Sequence, residues 1–264
     1  MKTQKDLKPL YDLDILQYRC GFAADAQIKN EYKEQNPGAS DEEIAEVLAN
    51  TEYTAIALQN VKTVMENVLE KFNPEYKAFI QDGRNFRYDV ATIRPYKGNR
   101  DKAHKPKYYK EIKQYLLDHW KAIPVAEIEV DDAIGIEQFR NTDKYSVIVS
   151  TDKDMMCIPG WHYNWVKDEL VYQSIHDANL FHFYQMLVGD PTDNIPGINK
   201  IGDKRAKKLI EECGHDEARV RQAIQDHYKK QYGSDWESAY SEVSKLLYIL
   251  RRPEELDKGA PFIW

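Results

Sequence analysis

The sequence has few of the features that mark disulfide-linked, zinc-binding or membrane-spanning proteins. Its 264 residues include only three cysteines, Cys20, Cys157 and Cys213, which are far apart and lack the paired spacing of a zinc or redox motif. The 7 histidines form no HExxH pattern, so we do not expect a zinc site. No apolar run reaches the length of a membrane span, and the first residues lack the apolar core of a signal peptide. We therefore expect a cytoplasmic monomer with reduced thiols and no membrane partner.

The net charge of −7 conceals a basic segment. Between Arg84 and Lys110 only two acidic residues, Asp89 and Asp101, interrupt the Lys and Arg residues. Nine basic side chains lie in this segment: Arg84, Arg87, Arg94, Lys97, Arg100, Lys102, Lys105, Lys107 and Lys110. Because phosphate backbones respond to local patches, the whole-molecule charge does not exclude a nucleic-acid partner. Tyr96, Tyr108 and Tyr109 add rings that suit base stacking, although a solvated basic face is the simpler alternative.

Carboxylates recur in five groups along the chain, and two of these groups flank a short apolar run at Tyr145–Val149. Like charges raise one another's pKa and repel, so such crowding favours cations between the side chains. Carboxylate oxygens are the ligands that Mg²⁺ and Mn²⁺ prefer. Two such ions can activate water and stabilise a leaving oxygen in phosphoryl transfer. The candidate ligands are Asp12, Asp82, Glu129, Asp131, Asp132, Asp152, Asp154, Asp190 and Asp193.

Alternating apolar strands and helices predict an α/β domain with a mostly parallel sheet. We expect strands at 7–16, 76–80, 122–128 and 145–151, a hairpin at 161–172, and a loop or short helix at 22–38. Ser40 and Glu43 predict a capping box that begins a helix reaching about Phe72, with an interruption near Asn50. An exposed arch is expected at about 88–115, where Pro and Gly are frequent. The predicted domains are a catalytic α/β domain at 1–176 and an all-helical subdomain at 177–264.

The second domain opens with a turn that resembles a helix-hairpin-helix element. Gly197 and Gly202 enclose the apolar Ile198 and Ile201, and Lys204 and Arg205 follow. Glycines allow close backbone approach, and the next helix offers N–H groups to a phosphate. This turn would hold duplex DNA by its backbone without reading sequence. An ordinary tight turn between helices is the alternative.

These residues together resemble the 5′ nuclease family of flap endonucleases and 5′-3′ exonucleases, and are most similar to its phage replication members. Asp12 resembles the aspartate of the family's first strand and Asp82 that of the second. The segment 94–100, RPYKGNR, is very similar to the motif at the base of the family's helical arch. The acidic groups at 129–132, 152–154 and 190–193 and the turn at 197–206 complete the resemblance.

The resemblance implies a PIN-like α/β fold, two Mg²⁺ or Mn²⁺ ions, and DNA cleavage near a 5′ end or flap, with an RNA–DNA hybrid as a further substrate. Lys97 and Arg100 would then act on the scissile phosphate, and K⁺ would bind through the carbonyls of Ile198 and Ile201. A phage origin would place the protein in the host cytoplasm. The implied DNA-binding residues are Arg84, Arg87, Arg94, Tyr96, Gly197, Gly202, Lys204 and Arg205.

Three questions stay open at this level. Asp14 is an additional acid whose metal role is unassigned, and the helical insertion at 38–72 has no evident task. A haloacid dehalogenase-type phosphatase is an enzyme alternative, because Asp12-Leu13-Asp14 imitates its nucleophile motif. That class leaves the acids at 129–132 and the hairpin unexplained. A DNA-binding relative without catalytic metals is the non-enzymatic alternative.

Overall fold

The computed structural model describes residues 3–99, 105–140 and 145–257. A six-stranded sheet in the order β3-β2-β1-β4-β5-β6 forms its centre; β1 to β5 are parallel and β6 is antiparallel to β5. The strands are β1 (Lys8–Asp12), β2 (Lys77–Asn85), β3 (Ile123–Glu127), β4 (Ser146–Val149), β5 (Gly160–Asn164) and β6 (Glu169–Gln173). Carboxyl ends of parallel strands meet at one edge of a sheet, so the residues that follow β1, β3 and β4 are brought together there.

Helices cover both faces of the sheet and form most of the C-terminal part. They are α1 (Leu13–Gln35), α2 (Asp41–Asn50), α3 (Thr54–Lys71), α4 (Arg87–Val90), α5 (Tyr109–His119), α6 (Val130–Arg140), α7 (Ile175–Val188), α8 (Asp203–Glu212), α9 (Glu217–Tyr232), α10 (Trp236–Leu247) and α11 (Glu254–Asp257). The predicted α/β class with a mainly parallel sheet is confirmed. Within the described ranges, no helix is long and apolar enough to cross a bilayer.

The first strand is shorter than the sequence predicted, and residues 22–38, expected to form a loop or short helix, lie mostly in one long helix. The strand ends at Asp12, whose Oδ1 accepts the Ile15 N–H at 3.3 Å and so caps a 23-residue helix, α1. Apolar residues three or four positions apart form the buried face of this helix: Leu13, Leu16, Cys20, Ala24 and Ile28. The polar residues between them hide this period, which is why the segment reads as a loop in the sequence.

The predicted helix from Ser40 to Phe72 is two helices, and the predicted interruption near Asn50 is confirmed. The capping box forms as expected, since Ser40 Oγ accepts the Glu43 N–H and Glu43 Oε2 accepts the Ser40 N–H. α3 buries Val61 and Met65 in the core that it shares with α1 and α5. The insertion therefore belongs to the packed body of the domain.

The C-terminal helices α7 to α10 enclose a second apolar core. This part is not purely helical, because two short antiparallel strands, β7 (Gly189–Asp190) and β8 (Ile195–Pro196), close the loop after α7. The predicted domain boundary after residue 176 falls in the first turn of α7. The division into two domains stays a prediction.

A buried ion pair joins the two parts of the chain. Arg87, 2% exposed, donates from Nη1 to Asp132 Oδ2 at 2.5 Å and from Nη2 to Asp132 Oδ1 at 2.9 Å. The guanidinium also donates to the carbonyls of Leu246 and Tyr248, and Asp132 accepts the Leu250 N–H. Asp132 reaches back to the Glu129 N–H as well, which caps α6.

Two predictions are corrected by this pair. Arg87 was expected to bind DNA, but its guanidinium is enclosed by protein and saturated by carboxylate and carbonyl oxygens. Asp132 was expected to bind metal, but it is fully buried and faces away from its neighbour Asp131 into this pair. Both residues hold the C-terminal segment against α4 and α6.

Arg87→Met should lower the free energy of unfolding by about 3–5 kcal/mol, because it leaves the Asp132 carboxylate buried without its partner. Urea unfolding measures this loss. The matched control is Arg84→Met, which removes a pair with Asp89 whose side chains are 64% and 76% exposed. The control should cost less than about 1 kcal/mol. Equal stability of the two variants would contradict the structural role of Arg87.

Candidate metal and nucleic-acid site

A cleft of about 610 Å³ opens at the carboxyl edge of the parallel strands. Its walls come from the ends of β1, β2 and β4, the start of α6, and the loop between β7 and β8. Eight carboxylates line it: Asp12, Asp14, Glu129, Asp131, Asp152, Asp154, Asp190 and Asp193. Chain segments far apart in sequence therefore contribute acids to a single cavity.

Asp12 and Asp131 form the buried floor of the cleft. Asp12 is 4% exposed and its Oδ2 accepts the Ser150 hydroxyl at 2.8 Å. Burial, together with the neighbouring Asp14, raises the pKa of Asp12 to about 7. Burial and the Asp12 charge also raise the pKa of Asp131 well above its usual range. Full ionisation of this floor is unfavourable unless a cation joins it.

Asp152 and Asp154 follow β4 on the next wall. Asp152 Oδ1 accepts the Asp154 N–H at 2.9 Å, which fixes the turn between them. Gln185, from α7, donates to Asp154 Oδ1 at 2.8 Å. Burial and the charge of Asp152 raise the pKa of Asp154 to about 7. On this wall, as on the floor, burial and a neighbouring carboxylate oppose ionisation.

Glu129 differs from the other acids because cations already surround it. Lys97 Nζ lies 2.6 Å from Glu129 Oε1 and 3.7 Å from Asp193 Oδ2, and Arg87 Nη1 lies 3.5 Å from Glu129 Oε2. Burial opposes its charge, but Arg87 and Lys97 outweigh that effect and hold the pKa of Glu129 below its usual range. Lys97 itself adopts a φ of +55°, fixed by its N–H bond to the Asp193 carbonyl at 2.9 Å. A strained lysine is thus held at the mouth of the cleft.

The structure corrects the position of Asp82 and places Asp14 in the cleft. β2 continues through residue 82 with a register shift, and alternation turns the Asp82 side chain away from Gln81. Asp82 is 62% exposed and pairs with Lys113 at 3.0 Å. Asp14, whose role was open, lies in the cleft and accepts the Gln81 N–H at 3.1 Å.

The DNA-binding role predicted for Tyr96 is also corrected, because its side chain is 4% exposed and packs in the C-terminal core. Its hydroxyl donates to Asp193 Oδ2 at 2.8 Å and lies 3.0 Å from Glu129 Oε1, so it braces the acids and offers no stacking face. Arg84 and Arg94 are exposed. Arg100 lies outside the described residues.

The rim of the cleft carries residues that the sequence analysis did not place at the metal site, and it considered Lys105 and Tyr109 only as part of the basic segment. Tyr18, Tyr88 and Tyr109 supply rings, while Lys105 and Lys153 supply positive charge. Tyrosine is frequent throughout this chain, so composition could not single these out. Spacing gave one usable signal, since Tyr18 is on the same α1 face as Asp14.

The hairpin after β8 packs against the C-terminal core. Ile198 is buried in the C-terminal core, and a Cβ on Gly197 would stand 2.3 Å from the Val188 carbonyl carbon, so only glycine fits. Gly202 precedes α8, and nothing lies within 4 Å of the place where its Cβ would be. The first turn of α8 is therefore open at Gly202, and exposed Lys204 and Arg205 follow it. A neighbouring cleft of about 710 Å³ runs from this hairpin to α9.

The described part of the chain shows no preformed metal geometry. Among residues 3–99, 105–140 and 145–257, no group of three or more His, Cys, Asp or Glu side chains is arranged to hold a metal ion. The donor chemistry nevertheless fits a hard divalent cation, since the cleft offers only carboxylate oxygens of raised pKa on its floor. At the predicted K⁺ site in the hairpin, the carbonyl oxygen of Ile198 accepts the Ile201 N–H at 3.0 Å.

Comparisons with known proteins agree with this architecture. Residues 177–257 match the family described as 5′-3′ exonuclease, C-terminal SAM fold. This match shows similarity to 5′-3′ exonucleases over the C-terminal part of the chain. It is 29% identical over 236 residues to DNA polymerase I of Caldicellulosiruptor bescii, covering 78% of this chain and 24% of the polymerase. It is 26% identical over 156 residues to the exodeoxyribonuclease of Enterobacteria phage T3, covering 54% of this chain and 51% of that protein.

A solved structure shares the fold. The T5 5′-exonuclease with bound zinc superposes with a TM-score of 0.51 at 15% identity, covering 95% of this chain and 98% of that one. The shared fold agrees with the expected α/β class with a mainly parallel sheet. Against the two sequence relatives, the chain spans only about a quarter and about half of their length.

Mg²⁺ or Mn²⁺ should raise the melting temperature of the protein, because a bound cation relieves repulsion among the carboxylates of the cleft. At a hundredfold excess over Kd the gain is about 2.7 kcal/mol. Asp131→Asn should reduce the shift, whereas Asp82→Asn, whose carboxylate lies outside the cleft, should keep it. A shift lost in Asp82→Asn and retained in Asp131→Asn would contradict the placement of the site.

Proposed function

We propose that the chain is a metal-dependent 5′-3′ exonuclease and flap endonuclease that hydrolyses DNA phosphodiester bonds near 5′ ends. The observation that carries the proposal is the convergence of eight carboxylates in one cleft with lysines and tyrosines on its rim. The acidic cleft attracts cations. It would bind a negatively charged phosphodiester only when cations are bound between the carboxylates and the phosphate. Phage DNA replication is the setting that the resemblance favours.

Divalent ions of the Mg²⁺ or Mn²⁺ class would be held by the buried floor and the wall after β4, through Asp12, Asp131, Asp152 and Asp154. When bound, they would supply activated water and stabilise the leaving oxygen. Glu129, Asp190 and Asp193 also line the cleft and would complete the acidic surroundings. Asp14 joins this set, whereas Asp82 and Asp132 do not.

Lys97 would act on the scissile phosphate. Its ammonium group now bonds Glu129 and lies near Asp193, at the mouth of the cleft. A phosphate entering beside these acids would find a positive donor already oriented by the backbone bond to Asp193. Stabilising the charge that develops on the phosphate is the role we assign to Lys97.

Duplex DNA would rest on the hairpin at 197–208. The open start of α8 offers N–H groups and Lys204 and Arg205 offer charge, all suited to backbone phosphates. The tyrosines on the rim of the cleft would stack on unpaired bases of the 5′ strand. Contacts of these kinds recognise the shape and charge of DNA rather than its sequence.

The alternatives are separated by substrate. A haloacid dehalogenase-type phosphatase would use Asp12 as nucleophile and would hydrolyse a small phosphomonoester. A relative without catalytic metals would bind DNA and cut nothing. Incubating 5′-labelled duplex, flap and RNA–DNA hybrid substrates with Mg²⁺ or EDTA, beside a phosphomonoester, distinguishes all three.

Asp152→Asn should abolish cleavage while DNA binding is retained, because the carboxylate serves the metals and not the duplex. Loss of a few kcal/mol of transition-state stabilisation corresponds to at least about a hundredfold in kcat. Asp82→Asn is the control and should cleave within about tenfold of wild type. Single-turnover cleavage and filter binding measure the two effects; near wild-type cleavage by Asp152→Asn would refute the assignment.

Lys97→Ala and Lys204→Ala should impair different steps, cleavage in the first variant and DNA binding in the second. The first should lower kcat by about 10²–10³ with little change in DNA affinity, because it removes an oriented donor at the reacting phosphate. The second should weaken binding and reduce the slope of log K against log salt by about 0.9, the value for one lost phosphate contact. Identical kinetic and salt profiles for the two variants would contradict this division of roles.

A further inference from the structure

The helical insertion at 38–72, for which the sequence suggested no function, contacts the C-terminal part of the predicted arch. We call residues 105–109 the arch foot. Lys107 Nζ donates to three carbonyls around the end of α2, those of Leu48 at 2.8 Å, Ala49 at 2.8 Å and Thr51 at 2.7 Å. An ammonium group has three protons, so these bonds use all of them. Lys107 therefore satisfies the open C-terminus of a helix, where positive charge is favourable, and has no proton left for a phosphate.

Aromatic packing reinforces this anchor. Tyr108 is buried, and its ring meets that of Tyr53 edge-on at 4.8 Å. The Tyr108 hydroxyl accepts the Tyr53 N–H at 3.2 Å and lies 3.1 Å from Glu52 Oε2. The Tyr53 hydroxyl donates to Asp25 of α1 at 2.7 Å, and Asp25 also accepts the Lys107 N–H at 3.3 Å. The joint between α2 and α3 and the arch foot share one hydrogen-bond network.

Helix α1 packs against the arch foot. A Cβ on Gly21 would stand 2.5 Å from Pro106 Cγ, so this position of α1 has room only for glycine. Gln17 Nε2 donates to the Tyr109 carbonyl at 2.6 Å. α3 packs against α1 and α5 in the same apolar core. The insertion, α1 and the start of α5 thus form one packed unit.

The residues on either side of this anchor face the cleft. Lys105 and Tyr109 both line it, next to Tyr18. Lys105 Nζ lies 4.2 Å from the centre of the Tyr109 ring, and the rings of Tyr18 and Tyr109 are 5.0 Å apart. Residues 106–108 are fixed to α1 and the insertion, while residues 105 and 109 form the rim.

We propose that the α2–α3 insertion is a buttress for the arch foot, and that Lys107 is a positioning residue which holds Lys105 and Tyr109 at the rim of the cleft. There the lysine meets a substrate phosphate and the tyrosine a base. The proposal rests on the nuclease function proposed above. It assigns Lys107, a member of the basic segment, to the protein's own backbone and not to DNA.

The test compares three variants of the full chain. Lys107→Met removes the anchor, Lys107→Arg restores a cation that can reach the same carbonyls, and Lys110→Met removes one charge from the same segment without touching the insertion. Hydrogen exchange is followed at the amides of Tyr109 and Ile112, which bond the carbonyls of Pro106 and Tyr108. Steady-state cleavage of a 5′-flap duplex gives KM and kcat. Far-UV circular dichroism verifies that each variant is folded.

Lys107→Met should speed exchange at both amides by about tenfold, as expected for loss of charged hydrogen bonds. It should also raise KM by a larger factor than Lys110→Met does, with kcat changed less than KM. Lys107→Arg should restore slow exchange and low KM. Exchange as slow in Lys107→Met as in Lys110→Met would overturn the anchor, and equal KM values would overturn its positioning role. Exchange needs no cleavage, so a wild type that cuts nothing would refute the nuclease proposal alone.

Discussion

Repulsion among buried carboxylates is the constraint on which the site depends. Parallel strands deliver their carboxyl ends to one edge, and this sequence places an acid at or just after three of them. The protein reduces the repulsion among these acids in two ways. Glu129 is neutralised by Arg87 and Lys97, while Asp12 and Asp154 take up protons more readily, with pKa values of about 7. The charge that remains uncompensated is what a divalent cation would relieve.

The adjacent acids Asp131 and Asp132 show how one motif serves two purposes. Neighbouring positions on a helix point about 100° apart, so one side chain enters the cleft while the other enters the protein. Asp131 lines the cleft, and Asp132 binds Arg87 and the backbone of the C-terminal segment. The pair with Arg87 fixes α6 and the C-terminal helices relative to each other. The walls of the cleft come from both of these parts, so the buried ion pair also defines its shape.

Sequence reasoning reached the class of fold, the capping box at Ser40, the packing of Gly197 and most acids of the cleft, because each has a local signature. It failed where contacts between residues far apart in sequence determine the position of a side chain or the extent of an element. The side on which Asp82 lies depends on β2 continuing to Asn85, beyond its predicted end at residue 80, and no local pattern reveals that extension. The burial of Arg87 depends on carbonyls some 160 positions away. The polar face of α1 concealed its apolar period, and the anchoring of Lys107 required the end of a helix whose position only the fold provides.

The central claim is that Asp12, Asp131 and Asp152 converge to take up divalent cations. Anomalous diffraction from crystals soaked in Mn²⁺ tests it most directly, because it locates the ions without requiring activity. The account predicts anomalous density inside the cleft, within coordination distance of these carboxylates. Density confined to the exposed Asp82, or a cleft that stays empty at saturating Mn²⁺, would contradict it.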